Sequence, residues 1–361
     1  MIEVYTSDGC GPSQGGPRGA WKKELVAVSV PTMMRALEQT SLRGPRDMRA
    51  IADVRVPVPG PGQVLIRVDA AGVNFVDISR SYGTFRGGPQ PPYLAGFEAA
   101  GEVVAVGPDV TEPAPGAHVF GVGEAAFAEY MVLPAAAAQP VPPGWTADEA
   151  LGLGVNWPTA IAALRPVGRL AAGETVLIQA AAGATGQAAV LLAKHYGATV
   201  IAAAAPDKHE TVRSRGADHV VDSRSADLAA QVRALTGGSG VDLVLESAGG
   251  AALEAGLDAA RRVTGRVVVY GLAGGTATLS NWDLVYRNQV QVIGLNMGVL
   301  IEAAPDIFGA VLAELSGLVA AGVCAPARPT VHDLADGPKV LAALESRATV
   351  GKLALRPTLP A

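Results

Sequence analysis

Residues 175–194, TVLIQAAAGATGQAAVLLAK, constrain this chain more than any other stretch. A short apolar run, Val176–Gln179, meets a loop of small residues, after which apolar residues recur with a helical period. Ala180, Gly183, Gly186 and Ala189 fall at intervals of three. A strand, a tight small-residue turn and a helix N-terminus together make a place for a dinucleotide pyrophosphate. Backbone N–H groups point outward there, the helix dipole favours negative charge, and missing side chains let the phosphates approach. The plainer reading is that small residues serve only close helix–strand packing, and Ala189 is assigned that role.

The rest of the chain supplies the context that such a turn needs. Strand candidates at 176–179, 198–203, 219–222, 241–246, 266–271 and 289–295 alternate with helical patterns. Six strands with crossover helices are what a doubly wound parallel sheet requires. Residues 47–134 have a different rhythm: short β patterns (QVLIRVDAAGV, AGEVVAVG, AHVFGVG, FAEYMVLP) separated by Pro and Gly clusters, as in a compact β-barrel-like module. Thr146 and Glu149 have capping-box spacing, and a further helix is expected near Pro158. The tail returns to helix near 303–321 and ends in a strand-like GKLALR. Residues 8–19 are turn formers, WKKELVAVSVP after them is a candidate edge strand, and residues 1–32 read as an N-terminal extension.

Composition narrows the class. A chain of 361 residues that is 49% hydrophobic and 17% charged buries a large core across two domains. The net charge of −5, without a Lys/Arg cluster, argues against nucleic-acid binding. Two distant cysteines, Cys10 and Cys324, make neither a disulfide framework nor a cysteine-based zinc site, and they fit a reducing cytoplasm. The N-terminus lacks the basic start and apolar core of a signal peptide. The most apolar window, 175–193, contains Gln179, Gln187 and two glycines, so it reads as a buried strand and helix rather than a membrane span.

The second strand of the β/α array decides between nicotinamides. An NAD site places an acidic residue at that strand's end to hold the ribose hydroxyls. Here the strand ends in Ala202–Ala205, followed by Pro206, Asp207 and Lys208. Small side chains leave room for a phosphate beside Ala204. Lys208 falls in the first turn of the next helix, where a cation is disfavoured unless an anion offsets it, and a 2′-phosphate is such an anion. A solvated surface lysine is the plainer alternative, and Asp207 as a ribose ligand or helix cap is the counter-argument. The balance of charge points to NADPH.

Seven segments together resemble the medium-chain dehydrogenase/reductases of the zinc-independent quinone oxidoreductase type: AGVNFVDISRSYGTF (71–85), PYLAGFEAAGEVVAVG (92–107), QAAAGATGQAAV (179–190), DKHETVRSRGADHVVD (207–222), GSGVDLVLESAGG (238–250), GRVVVYGLAGG (265–275) and ATVGKLALR (348–356). The resemblance runs from about residue 33 to 356. It implies an α/β fold of a GroES-like β-barrel module (33–157 and 297–361) plus a Rossmann doubly wound six-stranded parallel sheet (158–296), with the active site in the cleft between them. Zinc enzymes of the wider family have a Cys ligand where Asn74 stands and a His where Phe97 stands. An amide and a phenyl ring hold no catalytic zinc. The five histidines show no ligand spacing.

The resemblance also implies roles. Asn74 lies near the nicotinamide ribose and substrate, and Thr159 against the nicotinamide face. Ala182, Gly183, Ala184, Thr185 and Gly186 form the pyrophosphate turn. Ser247 and Ala248 contact the adenosine side. Tyr270, Gly271, Leu272 and Ala273, with Leu295 and Asn296, belong to the loops that hold the nicotinamide amide. Lys352 stands near the pyrophosphate, and Lys208 matches a 2′-phosphate lysine. Where family members often carry tyrosine, this chain has Ser79, Phe85 and Ser223.

The expected chemistry is hydride transfer from NADPH to the β carbon of a polarised double bond in a small-molecule substrate, a quinone or enone, with the proton from water, Tyr82 or Ser79. For Tyr82 a packing role weighs equally. An enoyl-thioester reductase of lipid or polyketide synthesis is the alternative; Arg80 and Arg86 are then candidate contacts, or else ordinary surface arginines. A non-enzymatic NADPH-binding protein is the third reading. The apolar strand QVQVIGLN (289–296) needs cover at a sheet edge, and family members dimerise by pairing there, so a homodimer is expected.

Overall fold

The structure is a computed structural model that describes residues 30–85 and 87–357, together with the backbone of two short antiparallel strands, Val4–Tyr5 and Lys23–Glu24. The remainder of the 1–32 extension up to residue 29, with Cys10, and the candidate contact Arg86 lie outside the described residues. The chain divides into two compact units. One comprises the described residues up to Ala147 with His332–Pro338 and those from Leu355 on; the other is Asp148–Val331 with Lys339–Ala354.

The first unit is antiparallel β structure. Its longest strand, Gln63–Val73, pairs on one side with Glu98–Val106 and on the other with Tyr130–Pro134. Glu98–Val106 continues to His118–Val122 and then to Gln139–Pro140. The strand expected in the tail GKLALR is Leu353–Arg356. A second sheet sets Met33–Gln39 between Met48–Arg55 and Tyr93–Leu94. Strand alternation turns Leu37, Ile66, Met131 and Leu133 inward, where they are fully buried, as is Phe127. Truncating an aromatic side chain so enclosed costs about 3–5 kcal/mol.

The second unit contains six parallel strands, here β1 Thr175–Ile178, β2 Thr199–Ala204, β3 His219–Asp222, β4 Leu243–Glu246, β5 Arg266–Val269 and β6 Gln291–Gly294. Each matches an expected strand. Their order across the sheet is β3-β2-β1-β4-β5-β6, every pairing parallel. The direction of winding reverses between β1 and β4, and ligands of such sheets bind at the carboxyl ends of the strands flanking that reversal. Helix α1, Ala184–His195, follows β1, and helix α2, Ala251–Ala259, follows β4. Val- and Leu-rich strands pack on α2 through a core that includes Leu177, Val244 and Leu257. The helix expected near Pro158 spans Asn156–Leu164, and the tail helix spans Pro305–Ala320. Among the described residues no helix is long and apolar enough to cross a membrane.

Candidate functional site

The turn after β1 has the features that its small residues suggest. Ala180 takes a left-handed conformation, φ 48°, at the first position of the three-residue spacing, where glycine is the commoner choice. Its carbonyl accepts the N–H of Gly183 at 3.0 Å. Gly183 then stands at the N-cap of α1 and brings no capping side chain, so the N-terminal N–H groups of Ala184, Thr185 and Gly186 face outward. The two glycines differ. A Cβ on Gly183 would meet only the Ala180 carbonyl, at an ordinary 3.4 Å, whereas one on Gly186 would fall 2.7 Å from Ala181 Cα. Gly186 therefore serves the packing of turn on helix, and Gly183 keeps the outer surface of the turn bare.

A segment far along the chain completes this turn. The N–H of Gly351 donates to the Ala182 carbonyl at 2.9 Å, and Gly183 and Gly351 form a parallel bridge. Lys352, 7% exposed, donates from Nζ to Asn156 Oδ1 at 3.0 Å. Asn156 in turn donates from Nδ2 to Thr185 Oγ1 at 3.0 Å. Lys352 and Thr185, two expected pyrophosphate contacts, are thus linked through a residue that carried no motif. Thr159 lies one turn along the same helix and donates its hydroxyl to the Val155 carbonyl at 2.6 Å.

The end of β2 shows a correction. Ala204 is buried, and no carboxylate occupies the strand end. Lys208 is not the solvated surface lysine of the plainer alternative. It is 8% exposed, and its Nζ donates to the carbonyls of Arg347 and Thr349 at 2.6 and 2.8 Å. Burial pushes its pKa down. Asp207 caps no helix; its exposed carboxylate lies 3.8 Å from Arg224.

At the other side of the reversal, the loops after β4 and β5 are knitted together. Ala273 N–H donates to the Ser247 carbonyl at 3.3 Å, and Gly274 N–H donates to the Ala248 carbonyl. A Cβ on Gly271 would strike the Ser247 backbone, so the loops approach as closely as glycine permits. Leu272, in the same loop, is exposed. Tyr270 hydrogen-bonds Ser247, and burial raises its pKa to about 12. Leu295 follows β6 and is buried; Asn296 caps the next helix by accepting the Val299 N–H at 3.1 Å.

In the first unit, Asn74 closes the strand Gln63–Val73 and opens the helix Phe75–Ser81. Its backbone N–H donates to Asp77 Oδ2 at 2.8 Å, and its amide donates to Glu98 Oε2 at 2.9 Å and the Gly72 carbonyl at 3.1 Å. Ser79 donates back to the Phe75 carbonyl at 3.4 Å. Tyr82 ends the helix, half-exposed, with its ring over Gly44, where any side chain would fall 2.5 Å from Cζ. Arg80 departs from the surface arginine considered from sequence. It is 7% exposed, forms a bidentate pair with Glu124 at 2.9 and 2.6 Å, and sets its guanidinium 4.9 Å from the Phe97 ring centroid.

Residues 60–143 match the family described as alcohol dehydrogenase GroES-like domain, and residues 184–316 the family described as zinc-binding dehydrogenase. The second description names zinc. The Asn74 amide is committed to Glu98, Phe97 offers no ligand atom, and among the described residues no three His, Cys, Asp or Glu are grouped to hold a metal. Erythronolide synthase EryA2 of Saccharopolyspora erythraea is 37% identical over 85% of this chain, which spans only 8% of that protein's length. The mycobacterial Rv1454c structure complexed with NADPH is 30% identical, with a TM-score of 0.83 over 90% of this chain and 100% of that one. The Escherichia coli quinone oxidoreductase structure complexed with NADPH is 27% identical, with a TM-score of 0.83 over the same shares. A GroES-like β module, a six-stranded Rossmann sheet and these likenesses make the chain a member of the medium-chain dehydrogenase/reductase family, of quinone oxidoreductase-like type.

Proposed function

We propose that this chain is an NADPH-dependent reductase that delivers hydride to an activated double bond, in a quinone or an α,β-unsaturated carbonyl, without zinc. The observation that carries the reading is the commitment of the Asn74 amide to buried Glu98 at 2.9 Å, in the position that zinc enzymes of the family give to a metal ligand. When bound, NADPH supplies the hydride. The chain's own residues hold and orient. The bare turn of Ala182, Gly183, Ala184, Thr185 and Gly186 takes the pyrophosphate, with Lys352 and Thr185 set by Asn156. Lys208, beside Ala204, takes the 2′-phosphate. Ser247 and Ala248 take the adenosine side, and Thr159, Tyr270–Ala273, Leu295 and Asn296 the nicotinamide. Conjugate reduction leaves an enolate oxygen to stabilise and a carbon to protonate. Tyr82 Oη and Ser79 Oγ are the side-chain proton sources in the helix that Asn74 opens, with water as the third.

A second reading, reduction of an enoyl thioester, is favoured by the likeness to EryA2 over 85% of the chain. Arg80 does not add to it, because Glu124 already occupies the guanidinium. We also infer a homodimer formed along β6.

The test is NADPH oxidation, with EDTA present, against a quinone, a cyclic enone and a crotonyl thioester. Turnover of quinone or enone that survives extended EDTA treatment is the expected result. Preference for the thioester selects the second reading. Activity lost to EDTA and restored by zinc overturns the metal-free mechanism, and silence on all three acceptors overturns the reductase.

A further inference from the structure

Gln179 and Glu246 stand one residue beyond the paired Ile178 and Leu245 on strands β1 and β4, and the Gln179 N–H donates to the Leu245 carbonyl at 3.1 Å. Parallel register puts both side chains on one face of the sheet. They are 3% and 0% exposed. Both reach toward Gly256 of α2: a Cβ there would lie 3.0 Å from Gln179 Nε2 and 3.9 Å from Glu246 Cγ.

Their hydrogen bonds leave a deficit. Gln179 Nε2 donates to the Ala252 carbonyl at 2.7 Å, which fixes the amide's orientation, since the flipped amide would set two oxygens against each other. Glu246 Oε1 accepts the N–H groups of Ala248 and Gly249, both at 2.7 Å. Gln179 Oε1 and Glu246 Oε2 remain, two buried acceptors without a hydrogen-bond partner among the described residues. Leaving such atoms unsatisfied is costly, and burying an unpaired carboxylate charge more so. One hydrogen on Glu246 Oε2 removes the charge and supplies a donor for Gln179 Oε1.

We propose that Glu246 is carried as the neutral acid, its proton donated to Gln179 Oε1, and that this acid is a positioning residue that shapes the Ser247–Gly250 turn for the adenosine half of NADPH. The second half rests on the assignment of Ser247 and Ala248 given above. Burial, the larger influence, raises the pKa of Glu246, against the pull of the two backbone N–H groups. The neighbouring elements bring little charge to bear. Tyr270 is the titratable group in reach, itself shifted upward. On α2, Glu254 is exposed and Asp258 is bound to Arg287 and Asn288. Arg266 on β5 and Asp242 before β4 lie at the opposite ends of their strands, bonded to Glu174 and Arg261.

Ionisation would place a charge behind a turn that takes an anionic cofactor, so proton and cofactor reinforce each other. Glu246→Gln keeps an oxygen for the two N–H groups and a donor for Gln179. Glu246→Leu keeps neither. Two measurements on the full chain test this. The infrared difference between wild type and E246Q at about pH 7 should contain the carbonyl stretch of an undissociated carboxylic acid; its absence overturns the proposal. NADPH titrated from about pH 6 to about pH 9 should bind wild type and E246Q within about twofold at the acid end. Toward the alkaline end it should weaken about tenfold for wild type only, and E246L should bind about tenfold more weakly throughout. Wild type and E246Q curves that track each other overturn the positioning role even with the infrared band present. Failure of the wild type to bind NADPH at any pH overturns the cofactor assignment and the positioning role with it, while the band still decides the neutral acid.

Discussion

Lys352 and Asn156, 196 residues apart, meet at 3.0 Å between ammonium and amide oxygen, and the same amide reaches on to Thr185. The lysine is thereby held at the bare turn after β1 instead of sweeping through solvent. Asn156→Ala removes one acceptor from a buried ammonium and one donor from Thr185. Stability should fall by about 1–3 kcal/mol in denaturant unfolding, and NADPH affinity should fall with it. Asn156→Asp keeps the acceptor for Lys352 and should recover most of the stability. An unchanged midpoint for Asn156→Ala would show that the link carries no weight.

The two glycines of the turn separate folding from binding. Gly183 has an ordinary φ of −76° and room for a methyl group, whereas a methyl group on Gly186 collides with the Ala180–Ala181 backbone. Gly183→Ala should keep wild-type stability within about 0.5 kcal/mol and lose NADPH affinity by at least about tenfold, because the methyl group stands where phosphate approaches. Gly186→Ala should lose about 2 kcal/mol or more before any ligand is added. Equal effects of both changes on melting temperature would mean that Gly183 is structural and that the turn is misread.

The β/α array was legible because its signals are local. Apolar runs of strand length, glycine turns and helical periodicity recur every few residues, and each of the six strands falls within two residues of where periodicity puts it. The positions of Lys208, Arg80 and Asn156 were not legible. Lys208 is buried by carbonyls 139 and 141 residues away, Arg80 is enclosed by Glu124 and the Phe97 ring, and Asn156 depends on Lys352. A single charged or amide residue has no period, so nothing nearby in the sequence marks it as buried. The unpaired oxygens of Gln179 and Glu246 arise from strand register, which appears only once β1 and β4 lie side by side.

Lys208 offers a direct check on the choice of nicotinamide. Its ammonium is held by two carbonyls, so it is pre-positioned rather than recruited. Lys208→Gln retains a donor for a carbonyl and removes the charge. NADPH binding should weaken about tenfold or more, the value of a charge-assisted hydrogen bond, while NADH stays within about twofold. Fluorescence titration of both cofactors gives the comparison. Parallel losses would mean that the lysine supports the loop and does not face a 2′-phosphate.

Among the described residues, strand β6 ends the parallel sheet and pairs only with β5, so its outer backbone groups lie along an edge. Apolar side chains gather near it in the sequence and stay exposed: Val292 on the strand, and Trp282, Val285 and Tyr286 in the preceding segment. A long apolar edge left open is an aggregation hazard, and a two-fold copy of the same strand is a self-complementary cover for it. The chain should therefore sediment as a dimer at micromolar concentration. Val292→Lys places a charge on the edge and should give a monomer that still binds NADPH. Val58→Lys, at a more exposed valine of the other unit, should remain dimeric. A monomeric wild type, or a Val292→Lys variant that stays dimeric, would rule out pairing along β6.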